Sequence, residues 1–226
     1  MVYISSDTSL DGIIKELQTN AYGDNLVQDV TFDKGQQIIM PGKPNNALYI
    51  INSGISITTQ TMKDSLKPVI SFLTVGDIIG LESFFRKNES VVMTQATTLT
   101  ELRATRIDME YLLNYLANRP SFMEHFANLM TERLYNLYER YMQLMLGREE
   151  RFVNSLYDIA NKLGVEVEDG IEIPSVINTK LIGAYCNVDR NFIPKQLKKM
   201  ILEDKISVNQ KNIIIKGMST SRNIQL

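Results

Sequence analysis

One segment constrains the fold of this chain more than any other: positions 177–201, which read INTKLIGAYCNVDRNFIPKQLKKMI. Asn178 can cap one short helix, Asn187 can close that helix in a left-handed turn, and Asp189 can cap a second helix. Apolar side chains recur at helical spacing, so each helix can turn one face toward a shared core. These side chains are Leu181, Ile182, Tyr185, Val188, Ile193 and Leu197. The segment therefore predicts a DNA-binding helix-turn-helix, with an ordinary antiparallel helix pair as the alternative.

The charge of the chain is divided unevenly along its length. The whole chain of 226 residues carries a net charge of −2. From position 178 onward, nine Lys and Arg stand against three Asp and Glu, so this tail carries +6 and the remainder −8. Contact with DNA phosphates requires a local cationic surface of this kind. A solvated basic face without a partner is the alternative.

Two residue types that build many active sites occur once each. The single cysteine, Cys186, excludes an internal disulfide and a cysteine-ligated metal site within one chain. The single histidine, His125, argues against a metal-dependent, cupin-like enzyme, and its flanks favour a packed or surface side chain. We therefore expect no enzyme activity, no metal and no cofactor. Cys186 is interpreted as a small buried side chain, with a redox switch as the alternative.

The chain is long enough for two domains of ordinary size, and its first half has a strand-like pattern. Positions 8–20 form an amphipathic helical pattern, and short β-branched or alternating runs follow, separated by turn signals. The runs are 27–32, 37–40, 47–52, 54–61, 68–73 and 90–102. This spacing predicts an antiparallel barrel or jelly roll. No apolar run approaches the roughly 18 residues of a membrane span, so we expect a cytoplasmic protein.

A long helix is predicted after the strands. Asp108 can cap a helix that runs to Asn118, and Pro120 suits the first turn of a helix that continues to about Leu146. Apolar residues in it repeat with the 4, 3, 4, 3 spacing of a heptad seam. They are Met130, Leu134, Leu137, Tyr141 and Leu144. A helix of about 27 residues spans about 40 Å, more than one small domain needs, so we expect a dimer seam rather than packing on its own barrel.

Gly147 ends the long helix and is a candidate hinge, because glycine inside a helix costs about 1 kcal/mol relative to alanine. A helix over 152–163, a hairpin over 165–173, the two short helices and a terminal hairpin over 206–216 then follow. This order is typical of a winged helix-turn-helix. The expected divisions are a sensor domain over 1–118, a dimerisation helix over 119–146 and a DNA-binding domain over 147–226.

With these elements in order, the chain resembles the Crp/Fnr family of bacterial transcription regulators over roughly residues 20–217. In the first half the resemblance rests on GKPNNALYIINSGISITTQ and ISFLTVGDIIGLESFF, and in the second half on Ile182-Gly183 and positions 188–193. It implies an α+β fold with an N-terminal antiparallel β-roll of the cyclic-nucleotide-binding type, a long dimerisation helix and a C-terminal winged helix-turn-helix. It also implies a homodimer that binds double-stranded DNA and contacts RNA polymerase.

The chain departs from the family at the effector pocket. Members that bind cyclic AMP present a Gly-Glu pair that holds the ribose and, about ten residues later, an Arg-Ser pair that neutralises the phosphate. The corresponding residues here are Gly80-Leu81 and Ser90-Val91. A buried phosphate without its arginine would be an unpaired charge, so we expect no tight cyclic AMP binding. The pocket, which the family pattern extends to Leu137, is expected to take a different and more apolar effector, or none.

The resemblance also assigns DNA contacts. Arg190 is expected to read guanine O6 and N7, Asn191 to read adenine N6 and N7, and Lys195 to reach a base or a phosphate. Asp189 stands at the start of the same helix. The phosphate contacts are expected from Thr179, Lys180, Lys198, Lys199 and Lys211. In a two-fold dimer, the second helices would enter successive major grooves about 34 Å apart and read an inverted repeat.

Pro194 conflicts with this assignment. As the fifth residue of a helix capped by Asp189, it would remove one hydrogen bond and crowd the carbonyl of Arg190, at a cost of about 3 kcal/mol. Either the first turn is distorted or the helix begins later. The competing function is a cyclic-nucleotide-binding module of a larger complex, against which Leu81 and the missing arginine argue.

Overall fold

The computed structural model describes residues 10–20, 25–60, 67–83, 94–209 and 212–218. Its first part consists of one helix and eight strands. They are α1 (Leu10–Asn20), β1 (Val27–Phe32), β2 (Gln37–Ile39), β3 (Ala47–Ser53), β4 (Ser56–Gln60), β5 (Val69–Leu73), β6 (Ile78–Ile79), β7 (Thr94–Thr98) and β8 (Leu102–Asp108). Two antiparallel sheets form, in the orders β1-β8-β3-β6 and β2-β7-β4-β5. The predicted antiparallel roll is confirmed.

The strand run predicted over 90–102 is wrong in its bounds. Two strands, β7 and β8, form in place of one. The strand β7 pairs with β4 in one sheet, and β8 pairs with β1 and β3 in the other. At the crossing, the Ile55 N–H donates to Thr100 Oγ1 at 2.9 Å and the Leu99 N–H donates to the Ile55 carbonyl at 2.8 Å. A Cβ on Gly54 would lie 2.3 Å from the Glu101 carbonyl oxygen, so the two turns can cross only at a glycine. The short β6 was not predicted.

Two helices follow the roll, α2 (Met109–Ala117) and α3 (Pro120–Leu144). The Asp108 carboxylate caps α2 by accepting the N–H groups of Glu110 and Tyr111 at 3.0 and 3.1 Å, as predicted. Pro120 opens α3, where its missing N–H costs nothing. The first half of α3 buries Phe122 and Phe126 against the roll. No helix in the described ranges is long and apolar enough to cross a bilayer.

The last part is a winged helix-turn-helix. Its elements are α4 (Arg148–Leu163), β9 (Val165–Val167), β10 (Gly170–Glu172), α5 (Thr179–Cys186), α6 (Phe192–Leu202), β11 (Ile206–Asn209) and β12 (Asn212–Lys216). The strands form one antiparallel sheet in the order β11-β12-β10-β9. The first helix starts at Arg148, four residues before the predicted start.

The roll and the winged part share one apolar core. Phe152 and Leu156 of α4 and Ile193 of α6 are fully buried in the same cluster as Phe72 of β5. The Phe72 and Tyr185 rings lie 4.9 Å apart, centroid to centroid. The winged part is therefore packed directly against the β4–β5 side of the roll, a contact that the sequence did not indicate.

Candidate nucleic-acid interface

The two short helices meet at the turn that the sequence predicted. Asn178 Oδ1 accepts the Leu181 N–H at 3.0 Å and so caps α5. Asn187 adopts a left-handed conformation with φ of 51°, and the following Val188 N–H donates to the Gly183 carbonyl at 3.1 Å. A Cβ on Gly183 would lie 3.1 Å from Ile193 Cδ1, so glycine lets α6 approach α5 closely. Both predicted caps of α5 are confirmed.

The second helix begins later than the cap assigned to Asp189 requires, and that prediction is wrong. Asp189 instead forms a turn, in which its Oδ1 accepts the Asn191 N–H at 2.7 Å and its carbonyl accepts the Phe192 N–H at 3.0 Å. Asn191 is the N-cap residue. Pro194 is then the third helical residue, where no backbone hydrogen bond is lost. The conflict raised by Pro194 is resolved by the later start.

This start divides the expected contact residues between two elements. Arg190 and Asn191 lie in the turn before α6, and Lys195 and Lys198 lie on α6 itself; all four side chains are exposed. The opposite face of α6 buries Ile193, Gln196 and Met200. Thr179 and Lys180 are exposed in the first turn of α5. Lys211 lies outside the described residues. The turn and the exposed face of α6 as far as Lys198 therefore carry three cations, Arg190, Lys195 and Lys198.

Lys199 has a partner within the chain. Its Nζ lies 2.9 Å from Glu149 Oε2, and Gln196 Nε2 donates to Glu149 Oε1 at 3.3 Å. The hydrogen bond with Glu149 raises the pKa of Lys199 and lowers the pKa of the Glu149 carboxyl. The pair is exposed, so water and salt screen it. The charge of Lys199 is therefore partly neutralised by Glu149 of α4, whereas among the described residues no ion pair of this kind is found for Lys195 or Lys198 on the same helix.

Cys186 is fully buried at the end of α5. Burial raises the pKa of its thiol to about 11, although a hydrogen bond with Ser155 acts in the opposite direction. The thiol is therefore protonated near neutral pH, and its burial agrees with the interpretation as a small core side chain.

Two of the predicted effector residues, Leu81 and Leu137, line cavities at α3. Gly80 has φ of +101°, and a Cβ there would lie 2.8 Å from the Ala47 carbonyl oxygen, so glycine is required. Leu81 is buried and lines a cavity of about 150 Å³ against α3. Leu137 lines an adjoining cavity of about 230 Å³. Ser90 and Val91 lie outside the described residues.

The two cavities share Arg133 and Asn136 of α3, which the sequence did not single out. Arg133 Nη2 lies 3.5 Å from Ser71 Oγ and 3.9 Å from Glu82 Oε1. The larger cavity reaches Tyr185 of α5. It is therefore bounded by the roll, the long helix and the helix-turn-helix together, and it is more polar than the sequence suggested.

The second half of α3, together with its C-cap residue Met145, exposes an apolar stripe. Leu134, Tyr138, Tyr141 and Met145 are 68%, 61%, 54% and 63% exposed. These four residues follow a 4, 3, 4 spacing and are called the α3 stripe below. Met130, the first residue of the predicted seam, packs against the roll instead. The other predicted seam residues, Leu137 and Leu144, are also exposed, at 43% and 38%, so the exposed part of the predicted seam runs from Leu134 to Leu144.

Gly147, the predicted hinge, is the N-cap residue of α4. Its φ and ψ of −57° and 151° suit any residue, and no atom would lie within 4 Å of an added Cβ. The backbone between α3 and α4 is therefore an open connection that does not require glycine.

Comparison with known proteins covers both parts of the chain. The family described as Cyclic nucleotide-binding domain matches residues 29–119. The chain is 23% identical over 190 residues to the CRP-like cAMP-activated global transcriptional regulator of Mycobacterium tuberculosis, which covers 84% of each protein. It is 19% identical over 214 residues to the Global nitrogen regulator of Synechococcus elongatus. The aligned segment covers 94% of this chain and 95% of the relative.

Solved structures show the same arrangement. The c-di-GMP responsive global regulator CLP of Xanthomonas campestris superposes with a TM-score of 0.75 at 16% identity, over 92% of this chain and 100% of that one. A cyclic nucleotide-binding domain containing protein from Listeria monocytogenes gives 0.76 at 20% identity, over 92% and 97%. At this level of identity the likeness is one of fold.

Proposed function

Because the chain belongs to the Crp/Fnr family of transcription regulators, we propose that it binds DNA as a homodimer and recognises an inverted repeat in successive major grooves. The observation that carries the proposal is the exposed surface of the turn and α6, where Arg190, Asn191 and Lys195 stand together. We expect the protein to act in the cytoplasm without enzyme activity, with RNA polymerase as its protein partner.

On this surface each side chain has a distinct task. Arg190 reads a guanine with two hydrogen bonds and Asn191 reads an adenine, both from the turn at the N-terminal end of α6. Lys195 reaches a base or a phosphate. The phosphate contacts come from Thr179, Lys180, Lys198, Lys199 and Lys211, and Lys199 contributes least because Glu149 shares its charge.

The α3 stripe supports the dimer. Four large apolar side chains would stay in water in a single chain, and their heptad spacing matches the seam of a two-stranded coiled coil. Packing against a second copy would bury them and fix two helix-turn-helix surfaces on one side of the dimer.

Selection from genomic fragments tests the function. Fragments captured by the purified protein should share an inverted repeat whose half-site centres are about one helical turn apart, 10–10.5 base pairs. Control captures with the protein in high salt should lose the enrichment, because phosphate contacts weaken as salt rises. No enriched sequence in low salt, or an enriched direct repeat, would contradict the proposal.

Cyclic AMP is expected to leave the melting temperature unchanged at millimolar concentration. Leu81 offers no carboxylate to the ribose, and Ser90-Val91 offers no guanidinium to the phosphate. A ligand at 100 times its Kd would stabilise the fold by about 2.7 kcal/mol and raise the melting temperature visibly. Thermal-shift curves with cyclic AMP and with equal ionic strength of buffer should coincide, and a large shift would favour the cyclic-nucleotide module instead.

We propose that any effector binds at the two adjoining cavities, between Leu81 and Leu137. Arg133 lies between them, and the larger cavity also contains Tyr185 of α5, so a ligand there would contact both the sensor and the DNA-binding part. Such a ligand changes DNA affinity only through a difference in its own affinity for two arrangements of these parts.

A further inference from the structure

One guanidinium joins the ends of two helices. Arg151, in the first turn of α4, donates from Nε to the Cys186 carbonyl at 2.8 Å and from Nη2 to the Asn187 carbonyl at 3.1 Å. Its Nη1 donates to the Leu144 carbonyl at 3.1 Å and to the Leu146 carbonyl at 3.3 Å. The first two carbonyls belong to the last residue and the C-cap residue of α5. The other two belong to the last residue of α3 and to Leu146, two residues beyond it.

These four bonds have physical reasons to form. The last carbonyls of a helix lack partners within the helix and form the negative end of its dipole, so a cation suits them. The guanidinium is planar and its five N–H groups point in fixed directions. A single such group that binds two helix ends therefore fixes both the distance and the angle between them.

The backbone beside Arg151 does not provide this constraint. Gly147, between α3 and α4, adopts a conformation open to any residue, and nothing lies within 4 Å of its added Cβ. Arg140 of α3 makes a second attachment, since its guanidinium stacks 3.7 Å from the Tyr185 ring centroid and donates to Ser155 Oγ at 3.2 Å. Arg140 therefore makes one hydrogen bond to α4 and one stack on α5, whereas Arg151 makes four hydrogen bonds to the ends of α3 and α5.

We propose that Arg151 is a positioning residue that sets the separation of half-sites the dimer accepts. The proposal rests on the proposed DNA-binding function. The end of α3 lies beside the α3 stripe, and the end of α5 leads directly into the turn with Arg190. Arg151 links these two points, so it acts with the shared core of Phe72 and Phe152 to set where each DNA-reading surface lies relative to the dimer axis.

The test is a spacing series. The half-site found by selection is placed in inverted repeats whose centres are moved by one, two and three base pairs in either direction, and Kd is measured by fluorescence anisotropy. Each base pair turns one half-site by about 35° relative to the other. The wild type should prefer one spacing by about ten-fold or more, and Arg151→Gln should reduce that preference to about two-fold, because hydrogen bonds to a charged group are lost. Affinity for a single half-site should stay within about two-fold in both proteins.

Arg148→Gln is the matched control. Arg148 lies three residues earlier in α4, and its guanidinium stacks 4.5 Å from the Phe192 ring centroid at the start of α6. This variant removes the same charge and should shift the affinity for all spacings equally. Arg151→Lys keeps the charge but lacks the planar guanidinium, so its affinity should depend on half-site spacing as weakly as that of Arg151→Gln. If circular dichroism shows that Arg151→Gln does not fold, Arg151→Lys is used in its place.

The outcomes separate the two proposals. If wild-type protein binds no repeat at any spacing, the proposed function fails. If wild-type protein binds but Arg151→Gln keeps the full spacing preference, or Arg151→Lys restores it, Arg151 does not act through its fork and the inference is overturned. A wild type that accepts all spacings equally overturns it as well.

Discussion

Replacing both Arg190 and Lys195 with alanine should abolish sequence-specific DNA binding and leave the dimer intact. Both side chains are exposed at the N-terminal end of α6, so their loss removes no core packing. A bidentate base contact contributes about 1–3 kcal/mol of discrimination, and the dimer loses one from each half-site, which corresponds to a loss of about 100-fold or more. Electrophoretic mobility shifts with the selected repeat and with scrambled DNA measure the loss.

The matched control removes two lysines from the roll, Lys34 and Lys43, which are exposed in turns far from α6 along the chain. This double alanine variant carries the same change in net charge, so it separates a local contact from the long-range field of the protein. It should bind the repeat like the wild type. If the Arg190 and Lys195 variant still binds specifically, the turn and α6 are not the surface that reads DNA.

The helix-turn-helix was the most predictable part of the fold, because local chemistry determines it. Asn178 caps α5 and Asn187 closes it, and both act within a few residues of their own position. The start of α6 was harder to place, since Asp189 suits a cap and a turn equally well. Pro194 indicates the correct start of α6. Its ring fits the first turn of a helix that begins at Phe192 but not the fifth position of a helix that begins at Arg190.

Contacts between distant segments could not be predicted from the sequence pattern. The run over 90–102 has one alternating pattern, yet its strands belong to different sheets, and only the crossing at Gly54 reveals the break. The joint core of Phe72 and Phe152 and the bonds of Arg151 likewise depend on how the winged part docks. The sequence around charged residues such as Arg133 and Arg151 does not show whether the side chain bonds to another part of the chain or only to water.

The α3 stripe gives the second large effect. Replacing Leu134 and Tyr141 with aspartate should convert the dimer to a monomer and lower the affinity for the inverted repeat by about 100-fold or more, since linked half-site binding is lost. In a seam, each carboxylate would leave water and face its counterpart from the partner, which disfavours association. In a single chain both positions are exposed, so the fold itself should remain stable. Sedimentation velocity and the melting curve measure the two effects separately.

Asn128→Asp is the control for this change. Asn128 is exposed on the same helix outside the α3 stripe, so this variant adds a carboxylate to α3 without touching the seam. It should sediment as a dimer and bind the repeat with wild-type affinity. A double aspartate variant that still sediments as a dimer would mean that the copies associate through another surface. The dimer axis would then not lie along α3. The bonds from Arg151 to the end of α3 could not set the separation of the two DNA-reading surfaces.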